Sequence, residues 1–302
     1  SISIYPGINL TEREVSTIVD YTTRIGLALG VKGLMNVQFV IVGGPPYRSP
    51  NQLREEISET TVYVLEVNLR SSRTVPFLSK VTGIPMVNLA TRVVLGKKLK
   101  DLGYGVGLWP KRKLVAVKAP VFSMSKLIGV DWYLGPEMKS TGEVMGIDYE
   151  FNSALIKALM ASNMTLVPNA VVLVSVADRD KHDAGKLVGK LLEAGCSIYA
   201  TEGTASMIRD MGAKVTLVTK KLGQGYPNVV DVIREGTVSA VINTVSDSAK
   251  TLRDGFYIRR AAAEKRIPCY TSLDTANVAA ESLLISSETF NVESVDKYLN
   301  AE

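Results

Sequence analysis

Cysteine is scarce. Cys196 and Cys269 are the only two in 302 residues, and neither stands in a C-x-x-C spacing or a catalytic context. That argues against a disulfide framework and fits two buried thiols in a reducing compartment. No apolar run approaches the roughly 18 residues of a membrane span, and a secretory leader is not expected. Concentrated positive charge is also missing. The net charge is +5, yet Lys and Arg are scattered, and the one dense basic run is Lys111-Arg112-Lys113. That run reads as a solvated loop, and no aromatic-basic surface motif accompanies it, so nucleic-acid binding is not expected. Bound anionic substrates account for the charge excess equally well. An initiator Met is lacking too: the chain opens with Ser1 and the extended-looking I-S-I-Y-P, as though part of something longer.

What is there is an ordinary globular composition, 46% apolar and 22% charged, at a length that suggests about two domains. Thr11-x-x-Glu14 is a capping box that opens a helix. Val15, Ile18, Val19, Thr22 and Ile25 continue it at helical spacing, and Gly30 or Gly33 ends it. Met35–Ile41 reads as a strand with Asn36 and Gln38 on one face. A polar insertion, 43–60, separates it from a second strand beginning near Thr61. Met86–Leu95 reads as a helix closed by Gly96, and Phe151–Ser162 as a short one.

From Ala170 the pattern becomes strict β/α alternation. Strands are expected at Ala170–Val176, Ser197–Ala200, Lys214–Val218, Val238–Asn243 and Pro268–Ser272. Helices lie between them, one over Asp183–Ala194 with Asp183 as N-cap and Gly195 beyond its end. Asp274 is expected to cap another, and Asn291–Leu299 to add a last one. Such alternation predicts a doubly wound parallel sheet.

The densest chemistry lies in T-V-Y-V-L-E-V-N-L-R-S-S-R-T-V-P-F, residues 61–77. Residues two apart on a strand share a face, so Glu66 and Asn68 point one way, and Arg70 and Arg73 follow at once. An antiparallel hairpin with the preceding strand lets Gln38 join them. Oxygen ligands for a hard cation beside guanidinium groups for phosphate suit ATP-dependent phosphoryl chemistry. Read from the strand alone, an ordinary Glu66–Arg73 ion pair fits as well.

Seven segments occur in one order: G-L-M-N-V-Q-F (33–39), E-V-N-x-R-x-S-R-T-V-P-F (66–77), S-K-x-T-G-I-P (79–85), L-G-P-E-M-K-S-T-G-E-V-M-G (134–146), S-V-A-D-R-D-K (175–181), A-T-E-G-T-A (200–205) and V-I-N-T (241–244). Together they resemble the large subunit of carbamoyl-phosphate synthase, from the end of its second ATP-grasp unit to its C-terminus. The resemblance implies an α/β chain: a partial ATP-grasp lobe (1–100), a connecting region (101–167) and a methylglyoxal-synthase-like allosteric domain (168–302). It implies phosphorylation of carbamate by ATP, with Gln38, Glu66 and Asn68 as ligands of Mg²⁺ or Mn²⁺ and Arg70 and Arg73 on phosphate. It implies a nucleotide effector, UMP or IMP, held by Lys181, Thr201, Thr204, Lys220, Asn243 and Thr244. Implied partners are a glutamine amidotransferase small subunit and the remaining large-subunit segments, in the cytoplasm. Self-association through the allosteric domain is also open. An earlier ATP-grasp lobe would be needed, so the isolated chain is expected to be inactive.

Some positions depart from the family pattern. Leu69 stands where Pro is usual and Ser71 where a small residue is. Val245-Ser246-Asp247 replaces a hydroxyl-rich run after Asn243-Thr244. Ala119 stands where an acidic residue gives ornithine control. Two other readings stay open: a purely regulatory nucleotide-binding module, and a methylglyoxal-synthase-like lyase. The lyase needs a histidine, and the one present, His182, reads as solvated in a polar loop beside Lys181.

Overall fold

The computed structural model describes residues 2–7, 9–43, 60–123, 138–219, 225–245, 249–284 and 291–300. The expectations for the 43–60 insertion therefore lie almost wholly outside the described residues, as do those for Lys220, Ser246 and Asp247. The chain falls into two compact units. One comprises residues 4–116, 147–151 and 292–302; the other comprises 1–3, 117–146 and 152–291.

The first elements are β1 (Ser3–Tyr5), α1 (Glu12–Ala28), β2 (Asn36–Gly43), β3 (Thr60–Asn68), α2 (Thr74–Thr82) and α3 (Met86–Val94). Helix α1 begins with the expected capping box: Thr11 N–H donates to Glu14 Oε2 at 2.9 Å, and Glu14 N–H donates to Thr11 Oγ1 at 3.3 Å. Glu14 is buried, and its other oxygen accepts from Thr60 Oγ1 at 2.8 Å. The helix closes at Leu29, with Gly30 in the left-handed region that terminates helices cheaply. Strands β2 and β3 form an antiparallel hairpin with Gly43 opposite Thr60. Helix α2 follows at once although Pro76 sits inside it. A proline in the first turn removes a donor that has no intrahelical acceptor, so the turn tolerates it.

Two strands, β4 (Val115–Val121) and β5 (Gly142–Asp148), share a three-stranded sheet with β1, in order β1-β4-β5. A partly buried ion pair, Lys118 Nζ to Glu143 Oε1 at 3.3 Å, lies across β4 and β5. Ala119, on β4, is buried. Helix α4 (Phe151–Ala161) then packs directly on β5: a Cβ placed on Gly146 would lie 2.0 Å from the Ala154 carbonyl oxygen.

The remaining elements alternate: β6 (Val171–Ser175), α5 (Lys181–Glu193), β7 (Ser197–Ala200), α6 (Glu202–Asp210), β8 (Thr216–Leu217), α7 (Val229–Arg234), β9 (Ala240–Asn243), α8 (Ala249–Glu264), β10 (Cys269–Tyr270), α9 (Leu273–Leu283) and α10 (Val295–Leu299). The five strands form one parallel sheet in order β10-β9-β6-β7-β8. That is a doubly wound arrangement, and the order reverses between β6 and β9. Strands β6 and β9 are apolar up to their last residues, Ser175 and Asn243, as burial on both faces requires. Leu173 and Val241 pack with Val229, Ile233, Ile258 and Ala262 of α7 and α8. Val172, Val174 and Ile242 alternate to the opposite face, and α5 packs with α6 and α9.

Several boundaries differ from the sequence reading. The outer strands β8 and β10 are two residues each, shorter than Lys214–Val218 and Pro268–Ser272, and both lie at sheet edges, where short strands leave little to pair with another chain. Helix α5 starts at Lys181 after a short 3-10 turn, Asp178–Asp180, so Asp183 lies in its first turn and Asp180 occupies the cap. His182 is thus an exposed residue of a helix, not of a loop. Ser272, not Asp274, is the N-cap of α9. Both aspartates still sit where a helix N-terminus favours negative charge. Cys196 is buried, and burial pushes its thiol up, while Cys269 on the edge strand is only half-buried.

Candidate functional site

The first constellation grows from the register of the hairpin. Gln38 lies opposite Glu66 and Asn36 opposite Asn68. Directly paired residues of an antiparallel ladder share a face, and so do residues two apart. Asn36, Gln38, Glu66 and Asn68 therefore occupy one face at one end of the hairpin. Just past them the register shifts, Phe39 pairing with Val64, a bulge that sets this end apart. Asn68 Nδ2 donates to Glu66 Oε1 at 2.8 Å. Asn36 Nδ2 donates to Ser72 Oγ at 3.3 Å and ties the turn after β3 back to β2. Arg70 is exposed, its Nη1 donating to the Ser71 carbonyl at 3.1 Å, and Arg73 is exposed at the N-cap of α2.

Asn36 belongs with the three residues singled out from sequence. Its signal was available, since it stands two positions before Gln38 on the same strand. Among the described residues no three His, Cys, Asp or Glu side chains gather to hold a metal. The hairpin set is instead one carboxylate and three amides. That donor chemistry fits a hard cation that takes few protein ligands and completes its shell from phosphates and water.

The second constellation lies at the carboxyl ends of β6, β7 and β9, beside the reversal of strand order. The turn leaving β6 is held by threonines from elsewhere. Val176 N–H donates to Thr204 Oγ1 at 3.2 Å, and Ala177 N–H to Thr244 Oγ1 at 2.8 Å. Thr201, the N-cap of α6, makes no capping bond and donates to Ser175 Oγ at 3.1 Å. Asn243 Nδ2 donates to the Ser175 carbonyl at 3.0 Å, and Arg259 Nη1 donates to Asn243 Oδ1 at 2.7 Å. Arg179 reaches from the same turn to the Val245 carbonyl at 2.9 Å. Ser175, Thr201, Thr204, Asn243, Thr244 and Arg259 are all buried.

Because Thr204 and Thr244 accept backbone N–H groups, each hydroxyl keeps its own proton to donate. Lys181 Nζ pairs with Asp178 Oδ1 at 2.7 Å, and a Cβ on Gly203 would come within 2.9 Å of that ammonium. The lysine head therefore stands over the first turn of α6, where backbone N–H groups favour anions. Five of the six positions expected from sequence are thus gathered; the sixth, Lys220, lies outside the described residues. Ser175 and Arg179 sit inside the 175–181 motif, whereas nothing in the sequence marked Arg259.

Gly203→Ala should separate binding from folding. The clashing atom is the end of a flexible side chain, so the melting temperature should move by no more than about 2 °C. Lys181 must nevertheless leave its post, and phosphate affinity by calorimetry should fall about tenfold. An unchanged affinity would remove Lys181 from the site.

Comparison with known proteins shows what the chain is similar to. Residues 1–102 match the family described as "Carbamoyl-phosphate synthase L chain, ATP binding domain", and residues 183–271 match "MGS-like domain". The chain is 50% identical over all 302 residues to the carbamoyl phosphate synthase large chain of Thermomicrobium roseum, covering 26% of that protein. It is 45% identical over 299 residues to the large chains of Thermoanaerobacter sp. strain X514 and Thermoanaerobacter pseudethanolicus, again covering 26% of each. Along its whole length it is therefore similar to the C-terminal part of carbamoyl phosphate synthase large chains, spanning about a quarter of the relatives it matches. Those relatives are ligases. A solved methylglyoxal synthase from Elizabethkingia anophelis NUHP1 aligns with 45% of this chain and 94% of that one, at 20% identity and TM-score 0.30.

Proposed function

We propose that this chain supplies one wall of the site in which carbamoyl-phosphate synthase phosphorylates carbamate with ATP, together with an effector domain that takes a nucleotide monophosphate such as UMP or IMP. The observation that carries it is the shared face of Gln38, Glu66 and Asn68, followed by Arg70 and Arg73, within the stretch that matches an ATP-binding domain. Gln38, Glu66 and Asn68 would hold Mg²⁺ or Mn²⁺. When bound, such an ion neutralises charge on transferring phosphate. Arg70 and Arg73 are exposed guanidiniums suited to bidentate phosphate contacts. Asn68 must then turn its carbonyl oxygen, rather than the Nδ2 now on Glu66, toward the ion.

The proposed division is an ATP-grasp lobe over 1–100, a connecting region over 101–167 and the effector domain over 168–302. Partners would be the rest of a large chain and a glutamine amidotransferase small subunit, with effector-domain self-association as a further contact. The setting would be the cytoplasm, in pyrimidine and arginine biosynthesis. Among the described residues no helix is long and apolar enough to cross a membrane. The isolated chain would form no carbamoyl phosphate.

Mn²⁺ binding followed by electron paramagnetic resonance, in a full-length synthase carrying this segment with ATP present, tests the metal face. Glu66→Gln keeps the shape and removes the charge, so affinity should fall by about tenfold or more and carbamoyl phosphate formation with it. A variant that binds Mn²⁺ and turns over like the wild type would sink the catalytic reading. Retained UMP binding would then leave a purely regulatory module, the reading favoured by the buried hydrogen-bond network at the strand-order reversal.

A further inference from the structure

We infer that Arg259 is a positioning residue for the anion edge, acting through Asn243; this rests on the effector-site reading above. Arg259 lies in the third turn of α8 and is 1% exposed. Its Nη1 donates to Asn243 Oδ1 at 2.7 Å, while Asn243 Nδ2 donates to the Ser175 carbonyl at 3.0 Å. These contacts fix the amide without ambiguity. A guanidinium carries only donors, so it must face Oδ1. A backbone carbonyl only accepts, so it must face the amide nitrogen. The second Nδ2 proton is aimed by the same two contacts. The chain Arg259–Asn243–Ser175 also crosses from β9 to β6 at the point where strand order reverses. One residue on, Thr244 accepts from Ala177 N–H, a second link across the same gap.

A second observation is independent of the hydrogen bonds. Gly255 stands four residues before Arg259, on the same face of α8. Side chains on a helix lean toward its N-terminus, so Arg259 passes over position 255 on its way to Asn243. A Cβ there would lie 2.6 Å from Arg259 Nη1 and 3.2 Å from Asn243 Oδ1. Gly255 thus leaves the gap through which the Arg259–Asn243 bond runs. If Arg259 only filled volume, an unbranched apolar side chain would serve as well. If it orients Asn243, such a side chain fails, and lysine, a single compact ammonium without the planar fork, serves poorly.

The test uses the full chain, ¹⁵N-labelled, with Arg259→Met, Arg259→Lys and Gly255→Ala. Hydrogen exchange of the Asn243 side-chain amide by NMR should be slow in the wild type and about tenfold faster in all three variants, with affinity for inorganic phosphate falling by a similar factor. A folded Arg259→Met chain with wild-type Asn243 exchange overturns the inference. Should that variant not fold, Gly255→Ala decides it, because it displaces the guanidinium without removing it; unchanged exchange there overturns the inference equally. A wild type that binds neither phosphate nor UMP would defeat the effector reading alone, since the exchange measurement needs no ligand.

Discussion

Alanine at position 146 should cripple the unit that contains β5 and α4. The added Cβ would sit 2.0 Å from the Ala154 carbonyl oxygen, 2.5 Å from the Ala158 amide nitrogen and 2.8 Å from Lys157 Cβ. Two of those atoms are helix backbone, which cannot swing aside as a side-chain tip can. Either β5 or α4 must retreat, opening the layer in which Ala154, Leu155, Ala158 and Leu159 are buried. Overpacking of this kind costs about 3 kcal/mol or more. For a unit of this size that lowers the melting temperature by roughly 6–12 °C. Thermal unfolding followed by circular dichroism measures it, and a Gly146→Ala chain melting within about 2 °C of wild type would contradict the close approach. The final glycine of the 134–146 motif is thereby accounted for by contact with a helix rather than by a ligand.

Thr204→Val should damage both stability and binding. Valine matches threonine in shape and lacks its oxygen, so Val176 N–H would lose its acceptor in a site where Thr204 itself is 1% exposed. A buried donor left without a partner costs about 1–3 kcal/mol. The same substitution removes a hydroxyl proton from the edge that gathers Lys181, Thr201 and Thr244, and phosphate affinity should fall about tenfold or more. Thr204→Ser keeps the oxygen and should track the wild type in both respects. Urea unfolding and calorimetric titration read the two effects separately. Equal behaviour of the valine and serine variants would show that Thr204 merely fills space.

Periodicity made the parallel sheet legible because both faces of it are covered. Up to their final Ser175 and Asn243, Val171–Ser175 and Ala240–Asn243 are apolar without alternation, and helical stretches separate them. The hairpin was legible for the opposite reason: polar residues recur every second position near one end of each strand. Where reading failed, the deciding contacts were distant or the local signal misled. No helix was expected over Thr74–Thr82, where the structure has α2 with Pro76 in its first turn. Asp183 and Asp274 look like caps, yet both helices begin earlier, with Asp180 and Ser272 in the cap positions and no side-chain capping bond at either. Asn243 reads as a ligand from its motif. Its bonds to Ser175 and Arg259, 68 and 16 positions away, also make it a fastener, and that depends on how the helices return to the sheet.

The bond from Thr60 to the buried Glu14 has a practical outcome. It clamps the mouth of the hairpin, where Gly43 faces Thr60, to the start of α1. The polar face of Asn36, Gln38, Glu66 and Asn68 is at the other end, beyond the register shift at Gln38/Phe39. Thr60→Val, which removes the donor to Glu14, should therefore loosen the mouth while leaving the Asn36–Ser72 and Asn68–Glu66 bonds of the far end in place.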